Sequence, residues 1–171
     1  MKYKFILYFF CVLFCFTSCT NNKKKQKPVY YATEDLTEYV VKVPYTELGG
    51  VKTIPVKVNG VTLDMIYDTG CSGLHLSLTE LQVLIKNGAL NEDDLLGSTY
   101  STIADGSIVQ NGLINVRNIE IGGPDGIVLN NVKASVALNQ EAPVLLGNGV
   151  MDRVAEASVD NINKTINFTR R

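Results

Sequence analysis

The chain has 171 residues, of which 46% are hydrophobic and 19% are charged, and it contains a single His and no Trp. A chain of this length and apolar content forms one domain with a substantial core, which excludes an intrinsically disordered protein. The formal charge of -1 excludes a general nucleic-acid-binding protein, because such proteins neutralise phosphates with a basic surface.

The N-terminal segment has the pattern of an export signal. Lys2 and Lys4 precede an unbroken apolar run from Phe5 to Phe16. This run is shorter than the roughly 20 residues that a membrane-spanning helix needs, and it has the length of the apolar part of a signal peptide.

The residues that follow resemble the lipobox of bacterial lipoproteins, in which small residues precede the cysteine that is lipidated. Here the motif reads Phe16-Thr17-Ser18-Cys19, with Phe16 where the family usually has Leu. The resemblance implies a signal peptide over residues 1–18 and lipidation of Cys19. It also implies a membrane-anchored lipoprotein of the bacterial cell envelope, facing the periplasm or the surface. The alternatives are a secretory signal cleaved near Ser18 and an uncleaved anchor.

Residues 19–36 are predicted to form a polar tether, and residues 37–171 a single folded domain. The tether contains Lys23, Lys24, Lys25 and Lys27, which can lie against anionic lipid headgroups. Cys11 and Cys15 leave with the signal and Cys19 carries lipid, so Cys71 has no cysteine partner within the mature chain. The apolar core must therefore supply the stability.

Beyond the tether, short runs rich in Val and Ile are separated by Gly and Asn, which is typical of an antiparallel β protein. The Asn59-Gly60 pair predicts a type I′ turn, because both residues tolerate a positive φ. A bend is predicted at Asn111-Gly112. The predicted strands cover residues 39–43, 51–58, 61–67, 100–103, 107–121 and 127–138, followed by a terminal hairpin over residues 157–168 that turns at residues 161–164.

One helix has clear boundaries in the sequence. Ser77-Leu78-Thr79-Glu80 is a capping box that opens it, and Asn87-Gly88 closes it. Leu81, Leu84 and Ile85 are predicted to share its buried face. A second, short helix is predicted after Gly147.

The residues best suited to chemistry are Asp68-Thr69-Gly70, directly after the strand over residues 61–67. A carboxylate between an apolar strand and a glycine turn lies at a strand end, partly desolvated, where turn amides can hold it. Such a carboxylate is suited to acid–base catalysis. The alternative is a structural Asp whose side chain caps its own turn.

The order of elements around this triplet resembles that of a retropepsin-type aspartic protease of the bacterial single-domain kind. The resemblance covers about residues 39–168 and implies an all-β fold, a retropepsin-like closed β-barrel half with one or two short helices. It also implies a homodimer, because each chain of that family supplies one Asp-Thr/Ser-Gly to a shared active site. The elements that carry it are the Asn59-Gly60 hairpin, Asp68-Thr69-Gly70, the helix, the Ala104-Asp105-Gly106 hairpin, and Val144-Leu145-Leu146-Gly147 with its short helix.

This resemblance also assigns roles to residues. Asp68 is the catalytic carboxylate, Thr69 bonds across the dimer, and Gly70 lets the two loops approach. Residues 100–107 form a flap over a peptide or protein substrate. The residues expected to contact that substrate are Tyr100, Ala104, Asp105 and Gly106.

A pair of carboxylates explains how such a site hydrolyses a peptide bond. Two carboxyl groups at hydrogen-bond distance cannot both ionise cheaply, so they share one proton. The ionised Asp68 activates a water and its protonated mate bonds the scissile carbonyl oxygen. This chemistry needs no metal and no cofactor, and a mature chain with one His and one unlipidated Cys does not easily form a zinc site.

Other candidate sites have fewer supporting features. Cys71 is read as a small buried hydrophobe or as a redox-sensitive thiol. His75 follows it by four positions, but a Cys–His hydrolase pair would also need a residue that orients the His. Glu92-Asp93-Asp94 could form a glycosidase carboxylate pair, although acids after Asn91 are more typical of an exposed helix start. The run 122–126 lacks the Lys-Ser/Thr of a phosphate loop and predicts a turn.

Two other functions remain open at this stage. One is a catalytically silent peptide-binding module on the same fold in the cell envelope, which would take an extended peptide by strand addition. The other is a structural β-rich lipoprotein, which predicts a monomer.

Overall fold

The computed structural model describes residues 40–171, and the predicted signal peptide, Cys19 and the tether lie outside this range. The helices found within residues 40–171 lack the length and the apolar content that a membrane-spanning helix needs. In chain order, the elements of this range are β1 (Val40–Pro44), β2 (Thr46–Leu48), β3 (Val51–Val58), β4 (Val61–Tyr67), β5 (Leu74–Leu76), α1 (Leu78–Lys86), the 3₁₀ helix Glu92–Asp94, β6 (Leu95–Thr102), β7 (Ile108–Ile121), β8 (Ile127–Val136), β9 (Leu145–Leu146), α2 (Asn148–Met151), β10 (Glu156–Asp160) and β11 (Thr165–Thr169).

Eight of these strands form one sheet, in the order β2-β3-β4-β9-β5-β8-β7-β6. The sheet closes because β3 pairs with β4 along one edge and, through residues 56–58, with β7 along the other. Six strands, β3, β4, β9, β5, β8 and β7, therefore form a ring in which every strand has two neighbours. The predicted all-β fold with a closed barrel and short helices is confirmed.

The core of this barrel follows from the alternation of side chains along its strands. Ile54, Val56 and Val58 on β3 are fully buried, and Leu63 and Met65 on β4 are buried opposite them. Successive side chains of a strand point to opposite faces, so the Val- and Ile-rich runs place one apolar face inside the barrel.

The terminal segments form a second, three-stranded sheet in the order β1-β11-β10. Its central strand β11 contributes Ile166 and Phe168, both fully buried. The Phe168 ring meets the Tyr67 ring edge-on, with ring centroids 6.4 Å apart. The terminal sheet therefore packs against the last residue of β4.

Several local predictions are confirmed closely. The strands predicted over residues 51–58 and 61–67 are β3 and β4, and Asn59 and Gly60 between them have φ values of 46° and 88°. The terminal hairpin turns as predicted between β10 and β11. The glycine-rich run 122–126 forms the turn between β7 and β8.

The predicted helix is α1, and its start follows the capping signal. The Ser77 hydroxyl oxygen accepts a hydrogen bond from the Thr79 amide at 3.0 Å. The buried face of α1 is narrower than predicted. Leu84 is fully buried and Leu81 is half-buried, but Ile85, which was predicted to share this face, is 52% exposed. A helix of nine residues on the outside of a barrel contacts it along one line only, which leaves Ile85 outside that line.

Two predictions about strands β6 and β7 are wrong. Strand β6 begins at Leu95 rather than at Tyr100, and β7 runs without a bend through Asn111 and Gly112. Gly112 pairs with Ser98 on one side and Val136 on the other, so the two neighbouring strands keep β7 extended through the glycine.

The acidic run 92–94 is also less exposed than its sequence predicts. Asn91 caps the short 3₁₀ helix as expected, but Asp94 is buried. Its carboxylate accepts hydrogen bonds from the Arg117 guanidinium at 2.8 Å and from the Asn91 amide at 2.9 Å. Asp94 therefore anchors this helix to β7, and this structural ion pair does not favour a glycosidase role for the acidic run.

Candidate active site

Asp68 lies where β4 leaves the barrel. The end of β4 runs parallel to the two-residue strand β9, with Tyr67 opposite Leu146. The Asp68 amide continues this pairing by donating to the Leu146 carbonyl at 3.1 Å. The pairing of β4 with β9 therefore extends to the backbone amide of Asp68 and fixes the position of this residue.

The Asp68 side chain turns back into its own loop. Its Oδ1 accepts a hydrogen bond from the Gly70 amide at 2.8 Å, and the Cys71 amide donates to the Asp68 carbonyl at 3.2 Å. These bonds form a tight turn around a half-buried carboxylate. The turn-capping geometry and the catalytic interpretation are compatible, because an ionised carboxylate held by a backbone donor is a preorganised base.

The loop that carries Asp68 is docked on the segment Gly147–Gly149. Three backbone amides of this segment donate to loop carbonyls: Gly147 to Gly73 at 3.0 Å, Asn148 to Cys71 at 2.8 Å, and Gly149 to Ser72 at 3.0 Å. The approach is so close that only glycine fits at position 147. A Cβ there would lie 2.4 Å from the carbonyl oxygens of both Cys71 and Gly73.

Asn148 makes one further contact that the sequence analysis missed. Its side-chain Nδ2 donates to the Thr69 carbonyl at 2.8 Å. In the sequence, this contact is indicated only by the position of Asn148 directly after Leu145-Leu146-Gly147. Thr69, which accepts the hydrogen bond, is 79 positions away in the chain. A contact of this range cannot be read from local spacing.

Thr69 is exposed beside an open concavity of about 520 Å³. Tyr67, Asn148 and Met151 also line it, together with Glu156 of β10 and the terminal Arg171. Burial of the Tyr67 ring raises the pKa of its phenol above its ordinary value, so Tyr67 stays a neutral hydroxyl at physiological pH. The concavity thus lies next to the predicted catalytic triplet.

The predicted substrate-contacting residues lie on a different hairpin, formed by β6 and β7. Tyr100 is on β6 and 69% exposed, and Ala104, Asp105 and Gly106 form the exposed turn. The turn is closed by the Gly106 amide donating to the Ile103 carbonyl at 2.8 Å. The hydroxyl and the amide of Ser107 hydrogen-bond to Asp105 and lower the pKa of its carboxyl group. These four residues therefore lie on an element separate from the loop that contains Asp68, Thr69 and Gly70.

Cys71 and His75 do not form a pair. The Cys71 thiol lies 3.2 Å from the Gly73 carbonyl, to which it donates. The His75 Nδ1 lies 2.8 Å from the Ser135 hydroxyl on β8. This arrangement does not favour a Cys–His hydrolase. In the part of the chain that the structure describes, no group of three or more His, Cys, Asp or Glu side chains is arranged to hold a metal ion.

The tight contact at Gly147 generates the first prediction. Gly147→Ala is expected to lower the free energy of unfolding by about 1–3 kcal/mol, because the added Cβ overlaps two backbone oxygens. Urea denaturation measures this change. The matched control is Gly112→Ala, whose Cβ would meet Val136 at an ordinary 3.6 Å. Equal effects of the two substitutions would contradict the account of the docked loop.

A second prediction concerns pH. Burial lowers the pKa of His75, so the folded protein binds this proton less readily than the unfolded chain does. The neutral His75 ring makes its full contribution to the free energy of unfolding above the pKa of about 6.5 that His has in the unfolded chain. This contribution is lost as the pH falls through the lower pKa of the folded protein. Urea denaturation should therefore give a lower free energy of unfolding at about pH 5 than at about pH 7. The difference between the two pH values should be smaller in the His75→Gln variant. An equal difference in the variant would contradict the assignment of this pH dependence to His75.

The comparisons with known proteins agree with this geometry. The sequence profile of a family described as aspartyl protease matches residues 54–150, which include the Asp68 loop, the β6–β7 hairpin and the Gly147 segment. Among solved structures, the chain is similar to a retropepsin-like aspartic protease from Rickettsia conorii, with 20% sequence identity and a TM-score of 0.53. That likeness covers 77% of this chain and 90% of the other. No curated protein matches. Because the family profile covers more than half of the sequence, the chain belongs to the aspartyl protease family.

Proposed function

We propose that this protein is an aspartic endopeptidase that hydrolyses peptide bonds through a water activated by two Asp68 carboxylates in a homodimer. The observation that carries the proposal is the Asp68 carboxylate, held on the Gly70 amide in a loop that is itself docked on Gly147–Gly149. Membership of the aspartyl protease family and the retropepsin-like fold support a protease-type activity.

The need for a second copy follows from the chemistry of a single carboxylate. Peptide hydrolysis by this route needs a base that takes a proton from water and an acid that donates one to the scissile group. One Asp68 supplies only one of these at a time. The exposure of Thr69 beside Asp68 leaves the loop accessible to an identical loop from a second chain. Two-fold symmetry would then set the two carboxylates opposite each other.

The proposed reaction uses the shared proton of the pair. The ionised Asp68 removes a proton from the water, which attacks the scissile carbonyl carbon, while the protonated mate donates a hydrogen bond to the carbonyl oxygen. The C–N bond then breaks as the leaving nitrogen receives a proton from the pair. Because the Gly70 amide already holds Asp68, little reorganisation is needed during this step.

The proposed substrate is an extended peptide or protein segment that lies between the Asp68 loop and the β6–β7 hairpin. Strand β6 is a terminal strand of the sheet order, so its outer edge can accept another strand. Tyr100 and the turn residues Ala104, Asp105 and Gly106 are exposed on this hairpin and would cover the bound segment. A silent peptide-binding module would use the same contacts without turnover.

The activity is tested by Asp68→Asn, which replaces the base with an amide of nearly the same shape. We expect cleavage of a diverse peptide pool, followed by mass spectrometry, to fall by at least about a thousand-fold, while thermal unfolding and sedimentation stay unchanged. The matched control is Asp64→Asn, which changes an exposed carboxylate on β4, the strand that leads to Asp68. This variant should cleave peptides as fast as the unsubstituted protein.

Three results would count against the proposal. Full activity of Asp68→Asn would exclude a catalytic role for this carboxylate. Peptide binding by the unsubstituted protein without cleavage would select the silent binding module. A monomer at every concentration would exclude a shared site.

We also propose that the protein is anchored in the cell envelope by lipid on Cys19, with the lysine-rich tether next to the membrane. This proposal is supported by the lipobox-like sequence alone. Two or more acyl chains, at about 0.8 kcal/mol per buried CH₂, give stable attachment. Confinement to a surface raises the effective concentration and favours dimers.

The anchor is tested by Cys19→Ser, with Cys15→Ser in the apolar part of the signal as the matched control. We expect the Cys19→Ser protein to lose incorporated radiolabelled palmitate, whereas the control protein keeps it. Equal labelling of the two variants would contradict lipidation at Cys19.

A further inference from the structure

The Thr69–Gly70 peptide group lies between Asn148 and the Asp68 carboxylate. Its N–H donates to Asp68 Oδ1 at 2.8 Å, and its C=O accepts from Asn148 Nδ2, also at 2.8 Å. The peptide bond is planar, so the C=O and the N–H of one group move together. Fixing the carbonyl of Thr69 therefore fixes the donor that holds Asp68.

We propose that Asn148 is a positioning residue that orients the Gly70 N–H toward the catalytic carboxylate. This inference rests on the proposed function, in which Asp68 is the base. Asn148 does not contact the reacting atoms in this arrangement. It acts through one peptide group, and its donation to the carbonyl also polarises the N–H at the other end of that group, which strengthens the bond to Asp68.

The bond from Asn148 differs from the other bonds that dock the loop. The carbonyls of Cys71, Ser72 and Gly73 accept from backbone amides, which are present whatever the side chains are. The Thr69 carbonyl accepts from a side chain, so this part of the docking depends on the residue at position 148. It is also the part directly attached to the catalytic triplet.

The peptide group needs such a constraint because it is followed by glycine. Gly70 has no Cβ and can adopt backbone angles that other residues avoid, so the Thr69–Gly70 group can rotate at little steric cost. A rotation by half a turn would point a carbonyl oxygen, instead of an N–H, at the Asp68 carboxylate. A donor fixed on the Thr69 carbonyl opposes this rotation.

Asn148 is well placed to be a fixed donor. It is the first residue of α2, its own amide bonds the Cys71 carbonyl at 2.8 Å, and its carbonyl accepts from the Asp152 amide at 2.7 Å. Its backbone is therefore held at both ends. A carbonyl oxygen only accepts hydrogen bonds, so the amide of Asn148 must present its NH₂ group to Thr69, and a carboxylate at this position would repel it.

The test uses Asn148→Asp and Asn148→Ala in the full-length protein in detergent, with Gly-selective ¹⁵N labelling. We expect the Gly70 amide proton to exchange with solvent about ten-fold faster or more in both variants, and its resonance to move upfield as its bond to Asp68 weakens. The matched control is Asn87→Asp. Asn87 Nδ2 bonds the Val83 carbonyl at 2.7 Å at the end of α1, outside the candidate site. This control should leave the Gly70 amide unchanged.

Kinetics provide the second readout. We expect kcat to fall on the order of ten-fold in both Asn148 variants with little change in KM, the size of one weakened hydrogen bond to a charged group. A merely structural role would lower the melting temperature and reduce the amount of folded enzyme, without this selective loss of kcat per folded molecule.

The outcomes separate this inference from the proposed function. If the exchange rate and the resonance of the Gly70 amide are unchanged in both variants, the positioning role is overturned. It is also overturned if the protein is an active enzyme and both variants keep the kcat of the unsubstituted protein. If the Gly70 amide exchanges faster in the variants but the unsubstituted protein cleaves no peptide, the positioning role is supported and the proposed protease function is overturned. If Asn148→Ala does not fold, Asn148→Asp decides the question, because it keeps the shape of the side chain and replaces the donor with a carboxylate that repels the Thr69 carbonyl.

Discussion

The docking of the Asp68 loop on the Gly147–Gly149 segment is the constraint on which the rest of the site depends. Three backbone amides and one side-chain amide of the segment donate to four carbonyls of the loop. This leaves the loop little freedom at the point where its own Gly70 amide holds the Asp68 carboxylate. A carboxylate held in this way is preorganised, which is the property that the proposed acid–base catalysis requires.

The barrel provides this docking through an unusual pair of strands. β4 and β9 are parallel neighbours that are far apart in the chain, and the long excursion between them forms β5, α1 and the flap-like hairpin. β9 has only two residues, yet it lies between β4 and β5 and so brings the Gly147 segment to the end of β4. The terminal sheet contacts the same end of β4, since the Phe168 ring packs against the Tyr67 ring. One short strand thus joins the Asp68 loop to the core.

The sequence predicted those features that depend on neighbouring residues. The Asn59-Gly60 turn, the Ser77 cap and the ends of β3 and β4 follow from backbone preferences within a few positions, and they are confirmed. Asp68-Thr69-Gly70 was also found from its neighbours, an apolar strand and a glycine turn. Its catalytic role was predicted from the resemblance to retropepsin-type proteases. β2, β5 and β9 were missed, because strands of two or three residues have too little periodicity to detect. The contacts of Asn148 with Thr69 and of Arg117 with Asp94 were missed because they join distant segments and depend on barrel closure.

The central claim is that two copies of this chain bring their Asp68 carboxylates together around one water. A crystal structure of the assembled protein tests it most directly. The account predicts a two-fold axis between the Asp68 loops, with carboxylate oxygens of the two chains about 3 Å apart or bridged by a single water. Carboxylates that lie far apart in the assembly, or that each face bulk solvent alone, would contradict it.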